Sequence, residues 1–188
     1  VVELFSNAVN SLIENLEVLK KFELDDELKN KVEQFLEIIT NSKNIFIYGV
    51  GRSGLVGKAF AMRLMHLGLN SYFVGESTCP AIKKGDSLIV ISCSGETSSV
   101  VNVLKKVQDM NKESKNIKTV SITRKCENTV EKLSDLWIPL EILNKKDFPM
   151  GTLFEEISLI FLDIVTILLM KKLGISEEEM KKNHNNLQ

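Results

Sequence analysis

Cysteine is scarce in this chain. Its three residues, Cys79, Cys93 and Cys126, are an odd number at spacings that match no metal-ligand pattern. A disulfide framework and a structural metal site are therefore not expected. With no signal peptide visible, a reduced cytoplasm is the simplest setting. Charge of one sign is also missing. The 24 Lys and Arg offset the 25 Asp and Glu to a net charge of −1. That balance leaves no basic surface for nucleic acid and no charged tail. Long hydrophobic runs are absent too. The most apolar stretch, Ile157–Met170, spans about 14 residues with Asp163 inside it and Lys171-Lys172 after it, whereas a bilayer needs about 20. Proline, glycine and serine form no linker, and no segment repeats. The 188 residues, 44% of them hydrophobic at a mean hydropathy of +0.02, read as one soluble globular domain that buries roughly two thirds of its chain surface.

Short β-branched runs punctuate the rest. Strands are expected at 45–49, 71–74, 88–92, 117–122 and 136–139, with helices between them at 54–68, 97–112 and 126–133. Two helices lead, over 4–21 and 26–41, the second with Asp25-Asp26 as its cap signal; two more close the chain, over 153–173 and 177–183. Such alternation predicts an α/β fold with a parallel sheet covered on both faces. Ligands of such sheets sit at the carboxyl ends of the strands. The run 157–170 is apolar nearly all round a helix, which predicts burial on more than one side, by a neighbouring subunit or within one subunit.

Both glycine- and serine-rich turns fall at those carboxyl ends. Gly49-Val-Gly-Arg-Ser-Gly54 follows the first strand, and Ser92-Cys-Ser-Gly-Glu-Thr97 follows the third. A helix start leaves amides unpaired and carries partial positive charge, so it suits an anion. Arg52, Ser53, Ser92, Ser94, Gly95 and Thr97 are thereby candidate ligands of a sugar phosphate. The first turn also matches G-x-G-x-x-G, with Glu76 about 22 residues beyond Gly54, so a dinucleotide is a rival. Against it stand the limited chain length, the polar Arg52-Ser53 pair and the second anion turn. Cys93 inside that turn is either a nucleophile or a small packing thiol.

A third segment, Pro149-Met-Gly-Thr152-Leu-Phe-Glu155-Glu156, opens the long apolar helix. Thr152 and Glu155 have capping-box spacing, which would explain Glu155 structurally. Two carboxylates at the mouth of an apolar helix equally suit a general base. His184 sits in a polar tail and reads as solvated on its own, and His66 as packed on its helix.

Together these segments resemble the sugar isomerase (SIS) domain over about residues 30–188. The finer strings Tyr48–Gly54, Ala61–Gly68, Tyr72–Glu76, Pro149–Thr152 with Phe154–Glu156, and a terminal His-x-Asn-Leu are similar to the 6-phospho-3-hexuloisomerase branch of that family. The resemblance implies a three-layer α/β/α sandwich on a five-stranded parallel sheet. It implies one SIS domain over 1–188 with the helical segment 1–43 packed on it, and a homotetramer without metal or cofactor. It also implies interconversion of 3-hexulose 6-phosphate and fructose 6-phosphate in the ribulose monophosphate route of formaldehyde handling. A hexulose-phosphate synthase is the implied pathway neighbour. By the same resemblance Glu155 is the base, with Glu156 as the fallback, and His184 approaches it from a neighbouring subunit. Ser53 and the 92–97 turn hold the substrate, and Met150, Gly151 and Thr152 line the site. The tail departs from the family in having Lys182-Asn183 before the histidine. The rival readings are an aldose–ketose isomerase of the same superfamily, such as an arabinose-5-phosphate isomerase, and a non-catalytic sugar-phosphate sensor.

Overall fold

Five strands, all parallel, form one sheet in the order β2-β1-β3-β4-β5. The computed structural model describes residues 2–20, 25–113, 115–143 and 148–187. The strands are β1 (Ile45–Gly49), β2 (Ser71–Phe73), β3 (Ser87–Ser92), β4 (Lys118–Arg124) and β5 (Leu136–Leu140). The helices are α1 (Val2–Lys20), α2 (Asp26–Asn41), α3 (Gly51–His66), α4 (Ser98–Lys112), α5 (Thr129–Leu133), α6 (Thr152–Leu173) and α7 (Glu177–Lys182). Lys21, the last residue of the first expected helix, lies outside the described residues.

The alternation of side chains along each strand builds the three layers. Ile45, Ile47, Ile89, Ile91, Val120 and Ile122 face a core completed by Phe35 and Ile39 of α2, Phe60 and Leu64 of α3, and Phe154, Ile157 and Phe161 of α6. Phe46, Leu88 and Val90 face the other way, onto Val100, Leu104 and Val107 of α4 and Val130 of α5. β3, the central strand, is buried along its whole length, as an apolar run covered on both faces requires. The two leading helices join the first layer. The buried Asn15 of α1 accepts a hydrogen bond from the Leu143 amide (2.9 Å) through its Oδ1, and its Nδ2 donates to the Ser11 carbonyl (2.8 Å). Asp25 caps α2 through the Glu27 and Leu28 amides, as its position suggests.

Two helices begin three residues away from the expected start. α3 starts at Gly51 rather than 54, so Arg52 and Ser53 stand in its first turn. α5 starts at Thr129 rather than 126. Asn128 caps it by accepting from the Glu131 amide at 2.7 Å. The apolar α6 is buried along Ile157, Phe161, Leu162, Val165 and Leu169, yet it leaves Ile164, Ile167 and Leu168 exposed. An apolar groove of about 680 Å³ runs between α1, α2 and this face of α6. Among the described residues no helix is long and apolar enough to cross a membrane.

Candidate active site

The strand order reverses direction between β1 and β3. From β1 the chain crosses through α3 on one face to β2, and from β3 it crosses through α4 on the other face to β4. The crevice beyond the carboxyl ends of such a strand pair is where α/β sheets bind ligands. A cavity of about 240 Å³ opens there.

Seven of the sequence-predicted residues line it. Ser53 comes from α3, and Ser92, Ser94 and Thr97 from the β3–α4 turn; Met150, Gly151 and Glu155 come from the start of α6. The serines of the turn shape it rather than cap the helix. Ser92 Oγ accepts from the Gly95 amide (3.2 Å) and shares a hydrogen bond with Thr97 Oγ1 (3.3 Å). Ser94 Oγ accepts from the Glu96 amide at 3.1 Å. Thr97, the residue at the helix boundary, makes no side-chain cap bond. The first-turn amides of α4 are thus left with the partial positive charge that attracts an anion.

The turn is braced from behind. The Val130 amide donates to the Gly95 carbonyl at 3.0 Å. Glu96 accepts from the Thr129 amide at 2.7 Å and the Thr129 hydroxyl at 2.8 Å. Those hydrogen bonds, the hydroxyl's first, hold the Glu96 carboxyl below its ordinary pKa of 4.5, with Lys132 adding to the effect. Gly95 sits at φ +65, and a Cβ there would lie 2.2 Å from Asn128 Oδ1; only glycine fits. Gly95 therefore supports the turn and does not line the cavity.

Glu155 is the carboxylate of the cavity. Its side chain is 13% exposed, against 44% for Glu156. The alternative of a capping box is not met. Gly151 is the N-cap of α6 and makes no side-chain cap bond, while Thr152 Oγ1 donates to the Pro149 carbonyl at 2.8 Å. Thr152 therefore shapes the rim and does not line the cavity. Glu155 instead receives Arg52 Nε on Oε2 at 2.6 Å, and Glu156 Oε1 receives Arg52 Nη2 at 3.1 Å. The other oxygen of Glu155, Oε1, lies 3.5 Å from where a Gly151 Cβ would stand. One oxygen is held, and the other is presented beside a residue with no side chain to cover it. Arg52, expected among the substrate ligands, is occupied by these carboxylates, which raise its pKa further.

His184 is not brought to Glu155 within this chain. Its ring stacks on His66 at 5.1 Å between centroids. His66 ends α3 and Arg52 begins it, so the two ends stand about 21 Å apart at 1.5 Å per residue. His66 is packed, as expected, at 5% exposure. Burial first, then His184 and Arg63, push its pKa below 6.5.

Cys93, inside the second turn, and Arg124, which no motif announces, also line the cavity. Cys93 has its thiol pKa raised above 9.0, chiefly by burial, which is the wrong direction for a nucleophile. Arg124 ends β4 beside it. The strand-end rule alone would have pointed to Arg124, since Ser92 pairs with Thr123. Glu76, the acidic residue of the dinucleotide pattern, is ion-paired with Lys58. In G-x-G-x-x-G, a Cβ at Gly54 would lie 2.7 Å from the Gly49 carbonyl oxygen, so strand–helix packing accounts for that glycine. Among the described residues no cluster of His, Cys, Asp and Glu could hold a metal ion.

The SIS domain family model matches residues 38–160. A 3-hexulose-6-phosphate isomerase of Methanocaldococcus jannaschii is 52% identical over 173 residues, covering 92% of this chain and 93% of that protein. The Bacillus subtilis 3-hexulose-6-phosphate isomerase is 38% identical over 84% of this chain and 87% of its own length. A crystal structure from Methanococcus jannaschii, from which a 3-hexulose-6-phosphate isomerase function was inferred, superposes with a TM-score of 0.89. It shares 49% identity, covering 96% of this chain and 99% of that one.

Proposed function

The chain belongs to the SIS domain family, and on that premise we infer that it is an isomerase interconverting 3-hexulose 6-phosphate and fructose 6-phosphate. The observation that carries the reading is the placement of Glu155. In a chain 52% identical to a 3-hexulose-6-phosphate isomerase, this carboxylate faces a cavity walled by the uncapped start of α4. The substrate is a sugar phosphate, and its carbonyl moves between C3 and C2.

The chemistry follows from what such a move demands. The free oxygen of Glu155 takes the proton from C2 as the C2–C3 double bond forms and the C3 carbonyl oxygen becomes an enediolate oxygen. Once the C2 hydroxyl proton has passed to the C3 oxygen, protonation of C3 by the same carboxyl group and collapse of the C2 oxygen to a carbonyl complete the transfer. Arg52, bonded to the other oxygen, keeps the carboxylate oriented through the cycle. Ser53 and the turn donors are positioned to stabilise charge on the substrate oxygens. The phosphate, held by Ser94, Thr97 and the first amides of α4, anchors the open-chain sugar away from the reacting carbons.

His184 joins the site of a neighbouring subunit in this reading. Its distance from Glu155 along α3 supports that, and so do the exposed apolar residues of α1 (Phe5, Val9, Ile13) and α6 (Ile164, Ile167). A homotetramer, with residues 1–188 as one domain, fits those uncovered faces. The three free thiols suit a reducing cytoplasm, where the reaction would serve the ribulose monophosphate route.

Proton NMR of fructose 6-phosphate with the protein in D₂O tests the assignment. Loss of the C3 proton signal with a new 3-ketose is the expected result. Exchange at C1 would instead make the protein an aldose–ketose isomerase.

A further inference from the structure

We propose that Arg124 is the cationic ligand of the substrate phosphate, an assignment that rests on the isomerase reading above. Among the described residues lining the cavity, Arg124 carries the one positive side chain and Glu155 the one negative. Arg52, the other arginine near the site, is taken: its guanidinium donates to both Glu155 and Glu156.

The backbone of Arg124 is fixed. Its amide donates to the Cys93 carbonyl (3.3 Å), and its carbonyl accepts from the Cys126 amide (2.8 Å) and Thr123 Oγ1 (3.0 Å). The guanidinium, by contrast, has no carboxylate within ion-pair distance among the described residues. Glu141 is close enough to pair with the neighbouring Lys125 at 3.7 Å, yet Arg124 does not use it. The positive charge is felt inside the cavity, where it acts on the Cys93 thiol against the effect of burial. An arginine whose backbone is tied down and whose charge is left without a counter-ion beside a ligand cavity is set up for an anion that arrives with the ligand.

A phosphate monoester carries between one and two negative charges near neutral pH. The hydroxyls and amides of the 92–97 turn supply donors but no net charge to balance it. A guanidinium adds the missing charge and a two-pronged donor that fits phosphate oxygens. Arg124 and Glu155 both line the cavity without forming an ion pair. A sugar phosphate can then lie between them, its phosphate on the β4 side and its C2 and C3 on the α6 side. The same charge would favour the phosphorylated sugar over the free one.

The test is calorimetric titration of the full chain with inorganic phosphate and with fructose 6-phosphate, for wild type, Arg124→Ala and Arg124→Lys. Loss of one charge-assisted hydrogen bond predicts a Kd for both ligands about 10- to 100-fold higher in Arg124→Ala. Arg124→Lys should restore part of the loss. The KM for fructose 6-phosphate should rise in parallel, with kcat within about threefold of wild type. Phosphate affinity in Arg124→Ala within about twofold of a wild type that melts alike overturns the proposal. So does a fall in kcat at unchanged KM, which would put the guanidinium on the enediolate, and so does a wild type that binds neither ligand. A wild type that binds fructose 6-phosphate without isomerising it overturns the isomerase reading alone. The affinity loss in Arg124→Ala would then still establish the phosphate contact.

Discussion

Replacing Glu155 by glutamine separates a base from a structural carboxylate. The change keeps the side-chain shape and a hydrogen-bond acceptor for Arg52 Nε, now 2.6 Å from Oε2, but it removes the ability to take a proton. General-base catalysis contributes roughly 10²- to 10⁴-fold. At about 1.36 kcal/mol per tenfold, that raises the barrier by about 2.7–5.4 kcal/mol. KM should change little, since the proposed phosphate contacts lie on β3, α4 and β4 rather than on α6. Stability should change little too, because Arg52 is 55% exposed and solvent screens its pairing. Glu156→Gln is the internal control. Glu156 is more exposed, does not line the cavity, and receives the longer of the two bonds from Arg52, 3.1 Å. Its loss should cost no more than about fivefold in kcat, in keeping with an outer, solvated contact. The assay is initial-rate isomerisation of fructose 6-phosphate, with thermal melting alongside. A Glu155→Gln protein that folds normally and keeps more than about a tenth of wild-type kcat would refute the assignment. A larger loss in Glu156→Gln than in Glu155→Gln would pass the role to its neighbour.

Three further outcomes are expected. Subunits carrying Glu155→Gln and subunits carrying His184→Ala, each inactive alone, should regain about a quarter of wild-type activity when assembled together at equal ratio, because a shared site draws one residue from each copy; no recovery would place both residues in one chain. Gly54→Ala, which would ordinarily stabilise a helix, should destabilise by about 1–3 kcal/mol, because its Cβ would stand 2.7 Å from a backbone oxygen that cannot move aside; a raised Tm would contradict this. Glu96→Gln should lower Tm at neutral pH. The Glu96 pKa is depressed in the folded chain, so its contribution is present above about 4.5 and fades as pH falls through the folded value. A Tm difference that widens on acidification would refute the sign.

Much of the frame can be read along the chain, because it depends on local pattern. β1 and β3 are apolar runs ended by small polar residues. Their carboxyl ends are the ligand side of any parallel sheet, so Ser53, Ser92, Ser94 and Thr97 are found from position alone. What escapes the sequence depends on contacts between distant segments. Thr152 and Glu155 have the spacing of a local cap, but Arg52, 103 residues away, claims the carboxylate instead. Cys126 and Glu127 extend the helical pattern backward, but Asn128 starts α5 because its side chain is anchored to Thr123 Oγ1 at 3.1 Å. Arg124 belongs to no motif. Its importance arises from standing beside Cys93 on the next strand, a neighbour supplied by sheet register.

The insertion of β1 between β2 and β3 has a consequence in time. The cavity wall needs the first turn of α3, the β3–α4 turn, the end of β4 and the start of α6, and the last of these is made about 100 residues after the first. Pairings that close such long loops form late. A nascent chain emerging from the ribosome can assemble β1, β2 and β3 with a helix on each face and still have no working pocket. The cavity wall is then completed in one step, when α6 docks and Arg52 meets Glu155. In refolding, helical signal should return before turnover does, and the part of the delay that does not change with protein concentration measures the docking of a single helix.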